Sequence, residues 1–211
     1  MTLLASEDQA KAYVANWADE LAQERVEAFA RLLIEENQSQ NLISKSSEQN
    51  LWIRHIADSA QLLEHVPRET YMERVPIGPW MDLGSGPGLP GLVVAILCPR
   101  IPCVLVESRA RRIEFLERTI ADLDLSNCRV EGKRLESVDP FQAWVISARA
   151  FAPLDKLLRL SAPFSTKATR HLLPKGRSAA HELSQAKASI RNMFHVKHSL
   201  TDTEAGIIVS K

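Results

Sequence analysis

One stretch limits the fold of this chain more than any other: Asp82-Leu83-Gly84-Ser85-Gly86-Pro87-Gly88-Leu89-Pro90-Gly91. Half of the chain's eight glycines fall here. Missing β-carbons let a backbone turn sharply and close on a bound group. An apolar run, Trp80 to Leu83, precedes the stretch, and a longer one, Leu89 to Cys98, follows it. The order predicted is therefore strand, glycine loop, helix, the unit with which α/β sheets hold nucleotide-like ligands against loop amides and a helix start.

Two carboxylates narrow the ligand. Glu107 ends the next apolar run, 19 residues after Gly88, where it can accept hydrogen bonds from both hydroxyls of a ribose. Asp82 stands two residues before Gly84 and sets a negative charge beside the loop. Such a charge repels a pyrophosphate and suits a cationic amino acid moiety. The cofactor expected is S-adenosylmethionine, with Asp82, Gly84, Gly86, Gly88 and Glu107 around it. Because Gly86-x-Gly88-x-x-Gly91 also satisfies the dinucleotide pattern, an NAD(P)-dependent oxidoreductase is the competing enzyme class.

The rest of the chain fits an α/β sheet. Strands are predicted at 80–83, 102–106, 128–131, 143–147, 169–173, 193–197 and 206–210, with helices at 90–98, 109–123, 153–163 and 178–190. Their alternation implies a parallel sheet covered on both faces, and the short polar link between the last two strands implies that they pair antiparallel. Residues 7–36 carry Tyr13, Trp17, Leu21, Phe29, Leu32 and Leu33 at helical spacing, enough for two amphipathic helices, and a further helix is expected over about 47–65. The chain is thus divided into a helical extension, 1–75, and a ligand-binding domain, 76–211. No run of about 18 apolar residues is present to span a bilayer, and the first twenty residues lack the basic start of a secretion signal. A cytoplasmic protein with no membrane partner is expected. Cys98, Cys103 and Cys128 are odd in number and set among apolar residues, so they read as core thiols. His195 and His198, three apart in a predicted strand, point to opposite faces, and no metal site is expected.

At this level of detail the chain resembles the bacterial small-subunit ribosomal RNA guanine-N7 methyltransferases, also called the glucose-inhibited division protein B family. The markers are Asn41-Leu42, Arg54-His55 with Asp58-Ser59, the Gly84 to Gly91 loop, Glu107-Ser108, Arg111-Arg112 with Phe115-Leu116, Arg134 with Glu136, Ser147 with Arg149-Ala150, and Lys175-Gly176. The resemblance implies a class I methyltransferase (Rossmann-like) fold, a seven-stranded and mostly parallel sheet with an antiparallel last strand. It also implies S-adenosylmethionine as donor and a guanine in the decoding-region loop of 16S ribosomal RNA as acceptor. Cofactor contacts then fall on Gly84 and Leu89, on Leu135 and Glu136 after the third strand, and on Arg149 after the fourth. The chain departs from the usual Ser-Arg-Ala in placing Ala148 between Ser147 and Arg149. A non-catalytic ribosome-assembly protein on the same fold is the remaining alternative.

Net charge is zero, yet it is unevenly spread. Residues 1–99 hold 7 basic and 14 acidic side chains, whereas residues 156–198 hold 9 basic and 1 acidic. A polyanion can therefore dock on one part of a neutral protein. Arg111, Arg112, Arg134 and Lys175 are the RNA contacts expected, on free RNA or a ribosomal particle, by a protein acting as a monomer. His55 and Asp58 share a helical face as a pair or as part of the cleft. No catalytic acid or base is assigned. Ser147-Ala148-Arg149-Ala150 stands where amine methylation would use a motif such as Asn-Pro-Pro-Tyr, and the cysteines lie away from the expected pocket. Guanine N7 already carries an available lone pair, so alignment in a dry pocket suffices.

Overall fold

The computed structural model describes residues 3–67 and 77–211. The boundary expected at 75/76 lies outside the described residues. Helix α1 (Glu7–Ala15) begins at Ser6, whose hydroxyl accepts from the Gln9 amide, and α2 (Glu20–Gln40) begins at Asp19, which accepts from the Ala22 amide at 2.8 Å. Helix α2 stops where Asn41 enters the left-handed region at φ 52°. The helix expected over 47–65 forms in pieces. A short α3 (Lys45–Glu48) is followed by a π-helical turn Trp52–Ala57, an α-helical turn Asp58–Ala60 and a 3-10 turn Gln61–His65. Glu7 of α1 caps this second stretch, its two carboxylate oxygens accepting from the amides of Trp52 and Ile53 at 2.9 and 3.0 Å.

The sheet has seven strands in the order β3-β2-β1-β4-β5-β7-β6. These are β1 (Trp80–Leu83), β2 (Cys103–Val106), β3 (Cys128–Glu131), β4 (Val145–Ala148), β5 (Arg170–Gly176), β6 (Phe194–His198) and β7 (Gly206–Ser210). Strands β1 to β5 pair in parallel, while β7 runs antiparallel to both β5 and β6. The connecting helices are α4 (Gly91–Leu97), α5 (Ala110–Asp122), α6 (Leu154–Ser161), α7 (Ala179–Gln185) and α8 (Ala188–Met193). The helix expected over 178–190 is broken: Ala186, buried in the core, is extended at ψ 158°, and Lys187 follows at ψ 149°. No glycine or proline marks the break, so packing overrides a sequence that favours helix.

Strand residues alternate between two apolar layers. Trp80, Cys103, Leu105, Val145 and Leu172 face the layer shared with α1, α2, the 52–65 stretch, α4 and α5. Met81, Leu83, Val104, Ile146 and Leu173 face α6 and α7. All seven residues of α4 are buried, and a helix apolar all round needs cover on both sides. The sheet covers one side and the N-terminal helices the other, so residues before 67 share one core with the sheet. Cys98, Cys103 and Cys128 are free and buried, and burial pushes the first and last up to about 12, which keeps them as thiols. Among the described residues no helix is long and apolar enough to cross a membrane.

Candidate cofactor and acceptor site

The glycine loop leaves β1 with Gly84, Gly86 and Gly88 all at positive φ (65°, 57° and 90°). Three of its glycines are demanded by packing. A β-carbon at Gly84 would lie 2.7 Å from the Phe151 ring, one at Gly88 would lie 2.2 Å from Leu92, and one at Gly91 would lie 2.2 Å from Leu105. Gly86 differs, because the nearest atoms to its β-carbon position are Arg112 Nη1 at 3.6 Å and Gly84 O at 3.8 Å. Gly86 is thus the loop glycine whose β-carbon position meets its neighbours only at ordinary contact distance, although the residue itself is buried.

Asp82 does not lie in the open beside the loop. One carboxylate oxygen accepts from the Gly91 amide at 3.1 Å and the other from the Ser147 hydroxyl at 2.7 Å, while Ser147 Oγ accepts from Trp80 Nε1 at 2.9 Å. Burial pushes its carboxyl up to about 6, against the lowering pull of Ser147, Ser85 and Gly91. Its observed work is to brace β1, β4 and the start of α4, which fixes the loop between them.

Glu107 follows β2 and is also buried. Its Oε2 accepts from the Gly86 amide at 3.0 Å, and its Oε1 accepts from the amides of Ser108 and Arg109 at 2.7 and 3.0 Å. A carboxylate offers about four lone-pair sites. Three are engaged, which leaves one on Oε2. Arg112 Nη1 lies 3.7 Å from the same oxygen. Leu135 and Glu136 occupy the 3-10 turn Leu135–Ser137 beyond β3, where Leu135 packs inward and Glu136 is exposed. Leu89 is buried within the loop.

Beyond β4 the chain reverses sharply, with Ala150 at φ 52° between Arg149 and Phe151. The reversal lays Phe151 on Gly84 and sends Arg149 the other way, toward the 52–65 stretch. Both line a cavity of about 1420 Å³ that also takes in His55, Asp58, Lys175 and Thr201. Arg149 Nη1 is 3.2 Å from His55 Nδ1, 3.5 Å from Arg54 O and 3.8 Å from Asp58 Oδ2. Asp58 Oδ1 accepts from the Thr201 hydroxyl and from Gln61 Nε2, both at 2.8 Å. His55 and Asp58 share a helical face, as the sequence implies, but each is turned to Arg149. Burial, followed by Arg149 and Arg54, pushes the His55 imidazole down to about 3.

The four residues expected to touch RNA are placed differently from one another. Arg111 and Arg134 are exposed, and Arg111 Nη2 donates to Ser39 O at 3.2 Å. Arg112 lies at the loop tip. Lys175 is turned inward, donating to Ala152 O at 2.7 Å and to Glu182 at 3.1 Å with its side chain 8% exposed. Ser47, Gln61, Thr201 and Phe151 take part in the site without a local sequence signal, since each acts across the fold. Among the described residues no group of three or more His, Cys, Asp or Glu is arranged to hold a metal ion.

Comparison with known proteins bears on the fold and on the family. The sheet resembles a mutant of MtNAS solved in complex with S-adenosylmethionine, with a TM-score of 0.55 at 17% identity over 98% of this chain and 84% of that one. It also resembles precorrin-6y C5,15-methyltransferase from Geobacter metallireducens, with a TM-score of 0.54 at 11% identity over 82% and 92%. At these identities the likeness is one of fold. In sequence, the chain is 53% identical to the ribosomal RNA small subunit methyltransferase G of Erythrobacter litoralis over 99% of its own length and 98% of the relative's. It is 47% identical to the protein of the same name from Novosphingobium aromaticivorans, over 99% and 89%. The profile described as rRNA small subunit methyltransferase G, GidB, matches residues 22–206, and the chain belongs to that family.

Proposed function

We propose that this protein transfers the methyl group of S-adenosylmethionine to N7 of a guanine in small-subunit ribosomal RNA. The observation that carries the cofactor reading is the Glu107 carboxylate set against the glycine loop, its Oε2 accepting from the Gly86 amide at 3.0 Å with one lone-pair site of that oxygen to spare. A ribose hydroxyl fits that site. Gly84 and Leu89 shape the loop, Asp82 braces it, Leu135 and Glu136 offer backbone groups to an adenine edge, and Arg149 faces an anionic group. The names of the relatives support ribosomal RNA as the substrate.

When bound, S-adenosylmethionine supplies an electrophilic methyl group on a sulfonium. The work left to this chain is to orient and to exclude water. Phe151, its ring against Gly84, lines one side of the cavity, and Arg54, His55 and Asp58 line another. No residue is asked to remove a proton, because guanine N7 presents its lone pair directly. Arg111 and Arg134, exposed on the loop side, are suited to phosphates, and the basic region 156–198 extends that surface. Lys175 acts instead within the fold, holding the turn after β4 against α7. We place the protein in the cytoplasm with its substrate, acting as a monomer. The antiparallel β7 and the buried Asp82 give a dinucleotide no support.

Incubation with methyl-labelled S-adenosylmethionine and separated ribosomal RNAs or particles tests this reading. Label is expected in small-subunit RNA and not in large-subunit RNA. Cofactor binding without any transfer would leave the non-catalytic assembly role as the better account.

A further inference from the structure

We propose that His55 is a positioning residue: its neutral imidazole holds one corner of the Arg149 guanidinium, so that the opposite edge is presented to the cofactor. The proposal rests on the reading of Arg149 as a cofactor contact. A guanidinium only donates, so His55 Nδ1, 3.2 Å from Arg149 Nη1, must accept. The proton of the imidazole then lies on Nε2, which faces Ser47 Oγ at 2.9 Å. Ser47 in turn donates a hydrogen bond from its hydroxyl to Ser44 O at 2.8 Å. The hydrogen bonds from Arg149 to His55 and from His55 to Ser47 thus run in one direction.

Charge and direction come from different groups. Asp58, 3.8 Å from Nη1, balances the guanidinium without a hydrogen bond of ordinary length. The acceptors that set its direction are His55 Nδ1 and, more distantly at 3.5 Å, Arg54 O. This division matters. A carboxylate in the place of His55 would take the fork by two parallel bonds and use up the binding edge. An imidazole offers one lone pair, holds one corner, and leaves Nη2 and Nε without an acceptor among the described residues. An anionic group, of which the amino-acid carboxylate of S-adenosylmethionine is the chemical match, can then take that edge.

The backbone is irregular at both ends of this contact. His55 sits inside the π-helical turn Trp52–Ala57, a form rare in regular helices and frequent at functional sites. The Ser59 hydroxyl bonds to the His55 carbonyl at 2.6 Å. At the other end, Ala150 holds a positive φ next to Arg149, a conformation disfavoured for a residue with a β-carbon. A purely structural contact needs neither distortion. Together they bring a helix residue and a strand end, 94 positions apart, into register.

Two substitutions separate the two nitrogens of His55. In His55→Asn the side-chain oxygen stands where Nδ1 was and can still accept from Arg149, while the bond to Ser47 is lost. In His55→Gln the longer amide reaches Ser47 but leaves Arg149 without its acceptor. Calorimetry with S-adenosylmethionine should show Arg149→Gln weakened by about tenfold or more, the range of a lost charge-assisted bond. His55→Gln should approach it, and His55→Asn should stay within about threefold of the parent. The double variant His55→Gln with Arg149→Gln should bind no more weakly than Arg149→Gln alone, because both changes remove one arrangement. In turnover, KM for the cofactor should rise with kcat little changed. If Arg149→Gln weakens binding while the two His55 variants behave alike, or while the double variant adds the two losses, His55 is only a packing residue and the proposal is overturned. If Arg149→Gln binds as tightly as the parent, Arg149 is not a cofactor contact, and the proposal falls with that reading while methyl transfer to RNA stands.

Discussion

Around Glu107 the site is built from near neighbours, the Gly86 amide meeting its carboxylate across 21 positions. Around Arg149 it is assembled from far apart: His55 lies 94 positions away, and Thr201 reaches Asp58 across 143. The first half is one strand–loop–helix–strand unit, whose register the backbone alone largely sets. The second exists only once the N-terminal helices, β4 and the β6–β7 connection have packed. The Glu107 half is thus carried by local sequence, whereas the Arg149 half depends on this chain's added helices.

The sharpest way to break the comparison is through glycine. A methyl group at Gly91 must displace Leu105 and the Asp82 brace, while one at Gly176 meets no atom within 4 Å and bears only the cost of φ 56°. Gly91→Ala is expected to destabilise the fold by about 2–3 kcal/mol by overpacking, and Gly176→Ala by about 1 kcal/mol. Urea denaturation of both variants checks the order, and a Gly176 loss equal to that at Gly91 would contradict the packing argument.

Acid should separate the two sides next. His55, His65 and His171 are held neutral, at about 3, 4 and 4, chiefly by burial. As pH falls below 6.5 the unfolded chain gains protons on these three that the folded chain does not, so stability is lost. Asp82, at about 6 against an ordinary 3.8, runs the other way, keeping its proton in the fold and giving stability that is lost as pH rises through 6. Asp58 is also raised by burial and opposes the histidines. The histidines outnumber the aspartates, and stability should fall by about 1–3 kcal/mol between pH 6 and pH 5. Asp82→Asn should steepen that fall, since it removes one opposing proton. Urea midpoints measured across this range would contradict the account if they rose on acidification.

What was readable in the sequence follows the same division. The strand–loop–helix unit, the carboxylate after β2, the antiparallel final pairing and the inert cysteines are all stated by local spacing and apolar runs. The π-helical turn at His55 and the break at Ala186 are not, because each answers to packing partners far along the chain rather than to a glycine or proline. Asp82 is legible in its place and not in its role. It does lie under the loop, but its oxygens are turned to Gly91 and Ser147. Lys175 reads as a phosphate contact in a basic region and is instead folded inward on Ala152 and Glu182. Side-chain direction at a strand end is set by the turn that follows, which no residue pattern spells out.

In the Glu107 half, Glu107→Ala removes the proposed ribose acceptor and frees the Gly86 amide together. Because three of its lone-pair sites already serve the backbone, the loss of S-adenosylmethionine affinity should sit near the low end for a charged hydrogen bond, about 1.5 kcal/mol or roughly tenfold. Calorimetry that found no change would remove Glu107 from the cofactor site. The smallest effect belongs to the surface. Replacing Arg111 or Arg134 with Gln should lower the salt dependence of RNA binding by about one ion each and leave cofactor affinity untouched. Filter binding at several salt concentrations would count against a phosphate contact if the slope stayed as it was.

All of this depends on the atom that receives the methyl group, and nucleoside mass spectrometry of small-subunit RNA, incubated with the protein and isotopically labelled S-adenosylmethionine, reads it directly. The expected product is N7-methylguanosine at a single position, formed at a rate nearly flat above neutral pH because no proton has to be removed. Label on an exocyclic amine, a ribose hydroxyl or a pyrimidine carbon would contradict a pocket that works by orientation alone.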